Sequence, residues 1–149
     1  MNIILIVATT LDGKISKNTQ SYVDWSFDLP LFKKQTINNT IIVGSTTFLT
    51  LKRPLLNRKI IILNKKMNLG KVLSKVTTSN CFIIGGTKTY SLFLNYITDI
   101  YLTPHPFFFG TEAKPLFEGI YFNRKIVFKK KILAHKQKQI YQFQYKVHD

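Results

Sequence analysis

The chain has a single cysteine, Cys81, so no internal disulfide can form, and this usage fits a reducing compartment. It also lacks any apolar run near the roughly 18 residues that a membrane-spanning helix needs. The longest run near the start, Ile3 to Ala8, has no basic leader and is followed by Asp12-Gly13-Lys14, which argues against a secretory signal. A cytoplasmic protein is expected. Acidic residues are scarce, with 7 Asp+Glu against 22 Lys+Arg and a net charge of +15. Two explanations compete: an anionic partner, such as nucleic acid or a phosphorylated small molecule, or the bias of an AT-rich genome. Arginine is confined to Arg53, Arg58 and Arg124 while Lys, Asn and Ile abound. Apart from Lys129-Lys130-Lys131 the lysines are scattered. Genome bias is therefore preferred, and nucleic-acid binding, which predicts basic and aromatic residues on one face, is disfavoured. His105, His135 and His148 show no metal spacing, and no nucleophile elbow occurs. Metal and Ser/His/Asp chemistry are set aside.

What is present is enough apolar residue, 45% of 149, for an ordinary core. Without repeat, linker or low-complexity segment, residues 1–149 are expected to form one domain. Short apolar runs bounded by turn residues predict buried strands at Ile3 to Val7, Thr40 to Val43, Lys59 to Leu63, Cys81 to Ile84 and Asp99 to Thr103, the last stopped by Pro104 to Pro106. Between them, helices are expected from Asp28 through Asn38, from Thr46 to Leu51 and from Thr87 to Leu94, with a turn or two within Leu69 to Val76. Lys14 to Trp25 is polar and without period, hence a loop. Ile126 to Leu133 and Gln139 to Val147 are β-prone, with Ile140, Gln142 and Gln144 alternating against Tyr141, Phe143 and Tyr145. They predict a hairpin. The pattern is an α/β fold with a mostly parallel central sheet, flanking helices and an antiparallel C-terminal hairpin.

Two strand-to-helix turns carry the chemistry. Gly85-Gly86 permits backbone donors to approach a phosphate at a helix start, or is simply a tight turn. Gly44-Ser45-Thr46-Thr47 repeats the arrangement, where a plain helix cap is the alternative. Both fall at the C-terminal ends of strands, where open α/β sheets bind ligands, and together they suit the two ends of a dinucleotide. Asp28, among Trp25, Phe27, Leu29 and Phe32, is either a helix cap or a functional carboxylate.

Read together, these segments resemble dihydrofolate reductase. The resemblance runs over about four fifths of the chain, through Ile4 to Ala8, Leu11-Asp12-Gly13-Lys14-Ile15, Trp25, Asp28 and Phe32, and Val43 to Phe48. Arg53-Pro54-Leu55-Leu56-Asn57-Arg58-Lys59 is its most specific part, and Ile83 to Tyr90 and Ile100 to Thr103 complete it. Asp12 to Ile15 and the segment from His105 through Gly110 to Phe117 are closer to a sister group, the reductase domain of riboflavin biosynthesis. The resemblance implies reduction of 7,8-dihydrofolate by NADPH, by a monomer or homodimer without membrane attachment. The alternative it leaves is reduction of a ribosylamino-pyrimidine.

By the same resemblance, Asp28 is the carboxylate that binds the pterin's amidine edge and Thr103 is its hydroxyl partner. Ile6, Ala8, Phe32, Leu51 and Ile84 line the substrate pocket, and Arg58 forks onto the glutamate carboxylate of folate. Ala8, Ile15, Gly44, Ser45, Thr46, Thr47, Ile84, Gly85, Gly86, Thr87 and Tyr90 bind NADPH, with Lys65 and Lys88 meeting its phosphates. Lys14 to Trp25 would serve as a lid. Trp25 to Asp28 is shorter than in common members, Ser45 replaces a basic residue, and the stretch from Leu63 to Cys81 is trimmed.

Overall fold

Ile4, Leu5, Ile6 and Val7 are all buried, so the first strand can only lie in the middle of a sheet covered on both faces. In the computed structural model, which describes residues 1–18, 25–51 and 53–149, that strand is β1 (Asn2–Thr10). It lies between β5 (Asn80–Ile83) and β6 (Asp99–His105), parallel to both. β3 (Thr40–Gly44) and β4 (Lys59–Leu63) extend the parallel sheet beyond β5. On the other side β8 (Lys125–His135) and β9 (Ile140–His148) form the antiparallel hairpin, giving the order β4-β3-β5-β1-β6-β9-β8.

Alternation along the strands divides the core. Leu5, Val7, Ile42, Cys81 and Ile83 face one way and pack with Tyr90 and Phe93 of α4 (Thr87–Phe93) and Val72 of α3 (Leu69–Ser74). Ile4, Ile6, Ile41, Val43 and Phe82 face the other, where Phe32 of α1 (Leu29–Thr36) and Phe48 of α2 (Ser45–Leu49) pack on them. Burial pushes the Cys81 thiol up to about 12, so this lone cysteine is an inert core residue.

Several sequence expectations are corrected. Lys14–Ser16 is not loop but a short strand, β2, paired antiparallel with β7 (Lys114–Pro115). Residues 19–24 of the expected lid lie outside the described residues. β6 does not stop before Pro104 but continues through it to His105. Its pairing with β9 ends at Leu102, so the proline sits where one side of the strand has no ladder and its missing N–H costs little. α1 ends at Thr36, short of Asn38, which has a positive φ of 62°. By contrast, α3 lies within the expected Leu69 to Val76, preceded by Asn68, whose side chain accepts from the Lys71 N–H as a local cap.

The alternation of β9 is real, and its polar side points inward. Gln142 and Gln144 are 1% and 7% exposed. Gln142 exchanges two amide hydrogen bonds with Gln35 of α1, at 2.8 and 2.9 Å, and accepts a third from Gln144 at 2.9 Å. Complementary amides thus fill a core position without an orphaned donor. Tyr145 and Phe143 instead pack against Phe128 on the other face of the hairpin. The Lys129-Lys130-Lys131 run lies on the outer strand β8, where exposed lysines discourage pairing with another edge.

Candidate active site

The two glycine turns are joined directly. The Gly44 N–H donates to the Gly85 carbonyl at 2.8 Å. A Cβ on Gly44 would stand 2.7 Å from the Thr89 hydroxyl, and one on Gly86 3.0 Å from the Thr47 hydroxyl. Gly85 has a φ of 123°, a conformation that side chains avoid. Neither α2 nor α4 has a side-chain cap, so the plain-cap alternative for Gly44 to Thr47 does not hold and first-turn N–H groups stay without a side-chain acceptor.

Above these turns opens a cavity of about 470 Å³. Every residue that the resemblance assigned to NADPH lines it: Ala8, Ile15, Gly44, Ser45, Thr46, Thr47, Lys65, Ile84, Gly85, Gly86, Thr87, Lys88 and Tyr90. Ser16, Asn64 and Lys114 also line it and were not foreseen. The Tyr90 ring contributes a wall, while its hydroxyl is spent on the fold, donating to the Ile6 carbonyl at 2.8 Å. Burial first, and the nearby charge of Asp28 second, push that hydroxyl's pKa up. A groove floored by glycines that a Cβ would fill, with backbone donors and lysines on its rim, fits a dinucleotide.

The second half of the site is assembled from side chains. Asp28 is 6% exposed and its carboxylate accepts no hydrogen bond among the described residues. It precedes α1 without capping it, so of the two sequence alternatives the cap falls away. Thr103 is fully buried, and its hydroxyl too finds no partner among the described residues. A buried hydroxyl left unpaired in this way is costly and needs a reason. Thr103 sits opposite Ala8 in the β1–β6 ladder. Ile6, Phe32 and Ile84 belong to one apolar cluster beside it, and half-buried Leu51 follows α2. Arg58 donates to the Leu56 carbonyl at 2.9 Å and to the buried Thr36 hydroxyl at 3.2 Å, which braces its guanidinium against the end of α1. Partial burial lowers its pKa.

One residue escaped the sequence reading. His105, weighed there as a metal ligand and as the start of the riboflavin-type segment but given no role in the site, is fully buried and accepts a hydrogen bond from the Phe27 N–H at 2.9 Å. Trp25 packs on it edge to face, and Phe27 and Phe107 stack on it. Nothing in the spacing pointed to it, since its partner lies 78 residues away.

The dihydrofolate reductase family model matches residues 2–147. The chain belongs to the dihydrofolate reductase family. A dihydrofolate reductase of Buchnera aphidicola subsp. Baizongia pistaciae is 30% identical over 92% of this chain and 90% of its own length. Among solved structures, dihydrofolate reductase from Enterococcus faecalis, complexed with NADP(H), superposes with a TM-score of 0.73 at 22% identity, covering 99% of this chain and 97% of that one. A putative riboflavin biosynthesis protein from Shewanella sp. PV-4 has the same fold, with a TM-score of 0.75 at 16% identity over 100% of both chains. Membership makes the chain an NADPH-dependent oxidoreductase acting on dihydrofolate. No helix among the described residues is long and apolar enough to cross a membrane.

Proposed function

We propose that residues 1–149 act as one catalytic unit, in the cytoplasm, with Asp28 on the pterin and the two glycine turns on NADPH. The observation that carries this is the buried Asp28 carboxylate, which has no partner among the described residues, at the same sheet end as the Gly44 and Gly85-Gly86 cavity. A pterin presents two adjacent donors, N3 and the 2-amino group, and a carboxylate accepts both at once. In a dry site that pair is stronger than in water and favours the protonated pterin. The Thr103 hydroxyl supplies a further polar contact beside it. Ile6, Ala8, Phe32, Leu51 and Ile84 exclude water from the ring, and Arg58 takes the glutamate carboxylate.

On the other side, N–H groups of the Gly44 and Gly86 turns, with Thr46, Thr47 and Thr87, hold the pyrophosphate. Lys65 and Lys88 neutralise phosphate charge. NADPH supplies the hydride for C6 of 7,8-dihydrofolate. The protein's part is to hold the two rings face to face, which accounts for much of the rate. Asp28, engaged at N3, cannot also reach N5, so water delivers that proton. The test is NADPH oxidation followed by absorbance with dihydrofolate, with NADH as comparison because Ser45 provides no positive charge for a 2′-phosphate.

One observation favours a second substrate class. The two segments that resemble the riboflavin-pathway reductases meet in space. The Asp12 carboxylate accepts from the Gly110 N–H at 2.9 Å and the Phe109 N–H at 3.3 Å, and Leu116 N–H donates to Gly13 O at 3.0 Å. A ribosylamino-pyrimidine offered in the same assay separates the readings: faster turnover than with dihydrofolate would favour the second.

A further inference from the structure

We infer that His105 is a positioning residue that fixes the Asp28 carboxylate through the backbone of Phe27. The inference rests on the proposed role of Asp28. Both ring nitrogens of His105 are committed to backbone groups. The Phe27 N–H donates to Nε2 at 2.9 Å, so Nε2 carries the lone pair. Nδ1 then carries the hydrogen and donates to the Thr103 carbonyl at 2.8 Å. Rings hold the imidazole in place: Trp25 edge-on at 5.1 Å, Phe27 stacked at 6.2 Å and Phe107 stacked at 6.5 Å. His105 itself lies on β6, opposite Thr10 of β1, so the clamp is mounted on the central sheet.

The Asp28 side chain has no tether of its own among the described residues, so its location is set by its backbone. That backbone is held from two sides. Phe32 N–H donates to the Asp28 carbonyl at 2.9 Å, the first bond of α1, which any helix starting here would make. The bond from Phe27 to His105 is the specific one, and it belongs to a segment, 25–28, with no regular structure. Thr103 and His105 stand two residues apart on β6 and therefore face the same way. One strand face thus presents the Thr103 hydroxyl, unpaired among the described residues, and the ring that holds the backbone next to Asp28. An apolar side chain of similar size would pack here equally well but would leave the Phe27 N–H without an acceptor.

Two substitutions separate the clamp from packing. Gln at this position can bring Oε1 to where Nε2 stands, whereas Asn reaches only the Nδ1 position. In the full chain, His105→Asn should lower kcat/KM for dihydrofolate by about 100-fold, the loss expected of a misplaced reacting geometry. NADPH affinity should not follow, and His105→Gln should recover most of the loss. In an Asp28→Asn background, His105→Asn should cost little more, because the two act as a unit. Equal losses for Gln and Asn, or losses that multiply with Asp28→Asn, would overturn the inference. Should Asn unfold the chain, His105→Met fills the space without a comparable acceptor and takes its place. Amide exchange of Phe27 reads the clamp independently of turnover. It should accelerate with Asn and stay slow with Gln, and the same rate in both would overturn the clamp. If the unsubstituted chain fails to turn over dihydrofolate, the reaction assignment falls, while the exchange rates still decide the clamp.

Discussion

The glycine turns and the Asp28 corner lie at the same end of one sheet but are built by opposite means. The turns are made of consecutive residues, 44–47 and 85–90, and what they offer is backbone: uncapped N–H groups and room where a Cβ would intrude. The corner is made of side chains from 25–28, 58 and 103–105, and what it offers is a buried carboxylate and a buried hydroxyl. The comparison teaches that binding a phosphate needs little more than local geometry, whereas recognising a flat heterocycle needs groups converging from distant segments. If so, substitutions in each half should move different kinetic parameters.

The largest effect is expected at Asp28. Asp28→Asn keeps the shape but turns one acceptor into a donor facing the pterin's donors. A charge-assisted pair of this kind is worth roughly 2 to 4 kcal/mol, so kcat/KM should fall about 30- to 1,000-fold at neutral pH. NADPH affinity should stay where it was. The deficit should shrink at low pH, where solvent protonates the substrate. A pH–rate profile beside an NADPH titration checks all three, and a parallel loss of NADPH binding would erase the division between the halves.

Next comes the backbone half. Gly44→Ala places a methyl 2.7 Å from the Thr89 hydroxyl, itself buried, and 3.4 Å from the Gly85 carbonyl. Such overpacking costs about 1 to 3 kcal/mol and should weaken NADPH binding while sparing the KM for dihydrofolate. Gly86→Ala should do less. Its methyl meets only the Thr47 hydroxyl at 3.0 Å, which can turn away, so the first obstruction falls on a side chain rather than on the pyrophosphate. Equal losses at the two positions would show that the Gly44 contact is not what matters.

These two halves also differ in how far they could be read beforehand. The strand–glycine–helix order marks both turns, because strand, turn and helix start follow one another along the chain. The Phe27–His105 bond spans 78 residues and the Gln35–Gln142 pair 107, and no local pattern encodes either. The fold was legible for the same reason as the turns: apolar runs announce strands buried on both faces. Where the reading erred, longer-range pairing had decided. Pro104 stays in β6 because the pairing of β6 with β9 ends at Leu102, and Lys14–Ser16 becomes a strand only because β7 lies beside it. Asp28 and Thr103 became assignable through resemblance and not through spacing.

Arg58 tests the outer edge of the corner. Its guanidinium already spends donors on Leu56 and Thr36, which leaves it braced with others free for a carboxylate. Arg58→Lys should raise the KM for dihydrofolate about tenfold, the value of one charged hydrogen bond, with less change in kcat. The rise should shrink for a pterin without the glutamate tail. If both substrates suffer alike, Arg58 serves the fold and the riboflavin-type substrate gains support.

The smallest effect sharpens the comparison by belonging to neither half. Asp12 accepts from the Thr10 hydroxyl and from the N–H groups of Gly110 and Phe109, and these bonds, the hydroxyl first, hold its carboxyl below the ordinary 3.8. A carboxyl with a lowered folded-state pKa stabilises the fold fully above its unfolded value. That contribution is lost only as pH falls through the lower, folded value. Asp12→Asn should therefore reduce Tm slightly at neutral pH, since an amide offers its NH₂ to one of those N–H donors. The gap between variant and parent should persist down to about pH 4 and close below it, as the parent's own carboxylate becomes protonated. Because the carboxylate ties the turn after β1 to the 109–110 segment rather than touching either ligand, neither KM should move. Thermal unfolding across that range, with both KM values measured at neutral pH, is the check. A gap that widens on acidification would contradict the lowered pKa, and a raised dihydrofolate KM would mean that this tie reaches the Asp28 corner through Phe109 and Trp25, whose rings stand 5.1 Å apart.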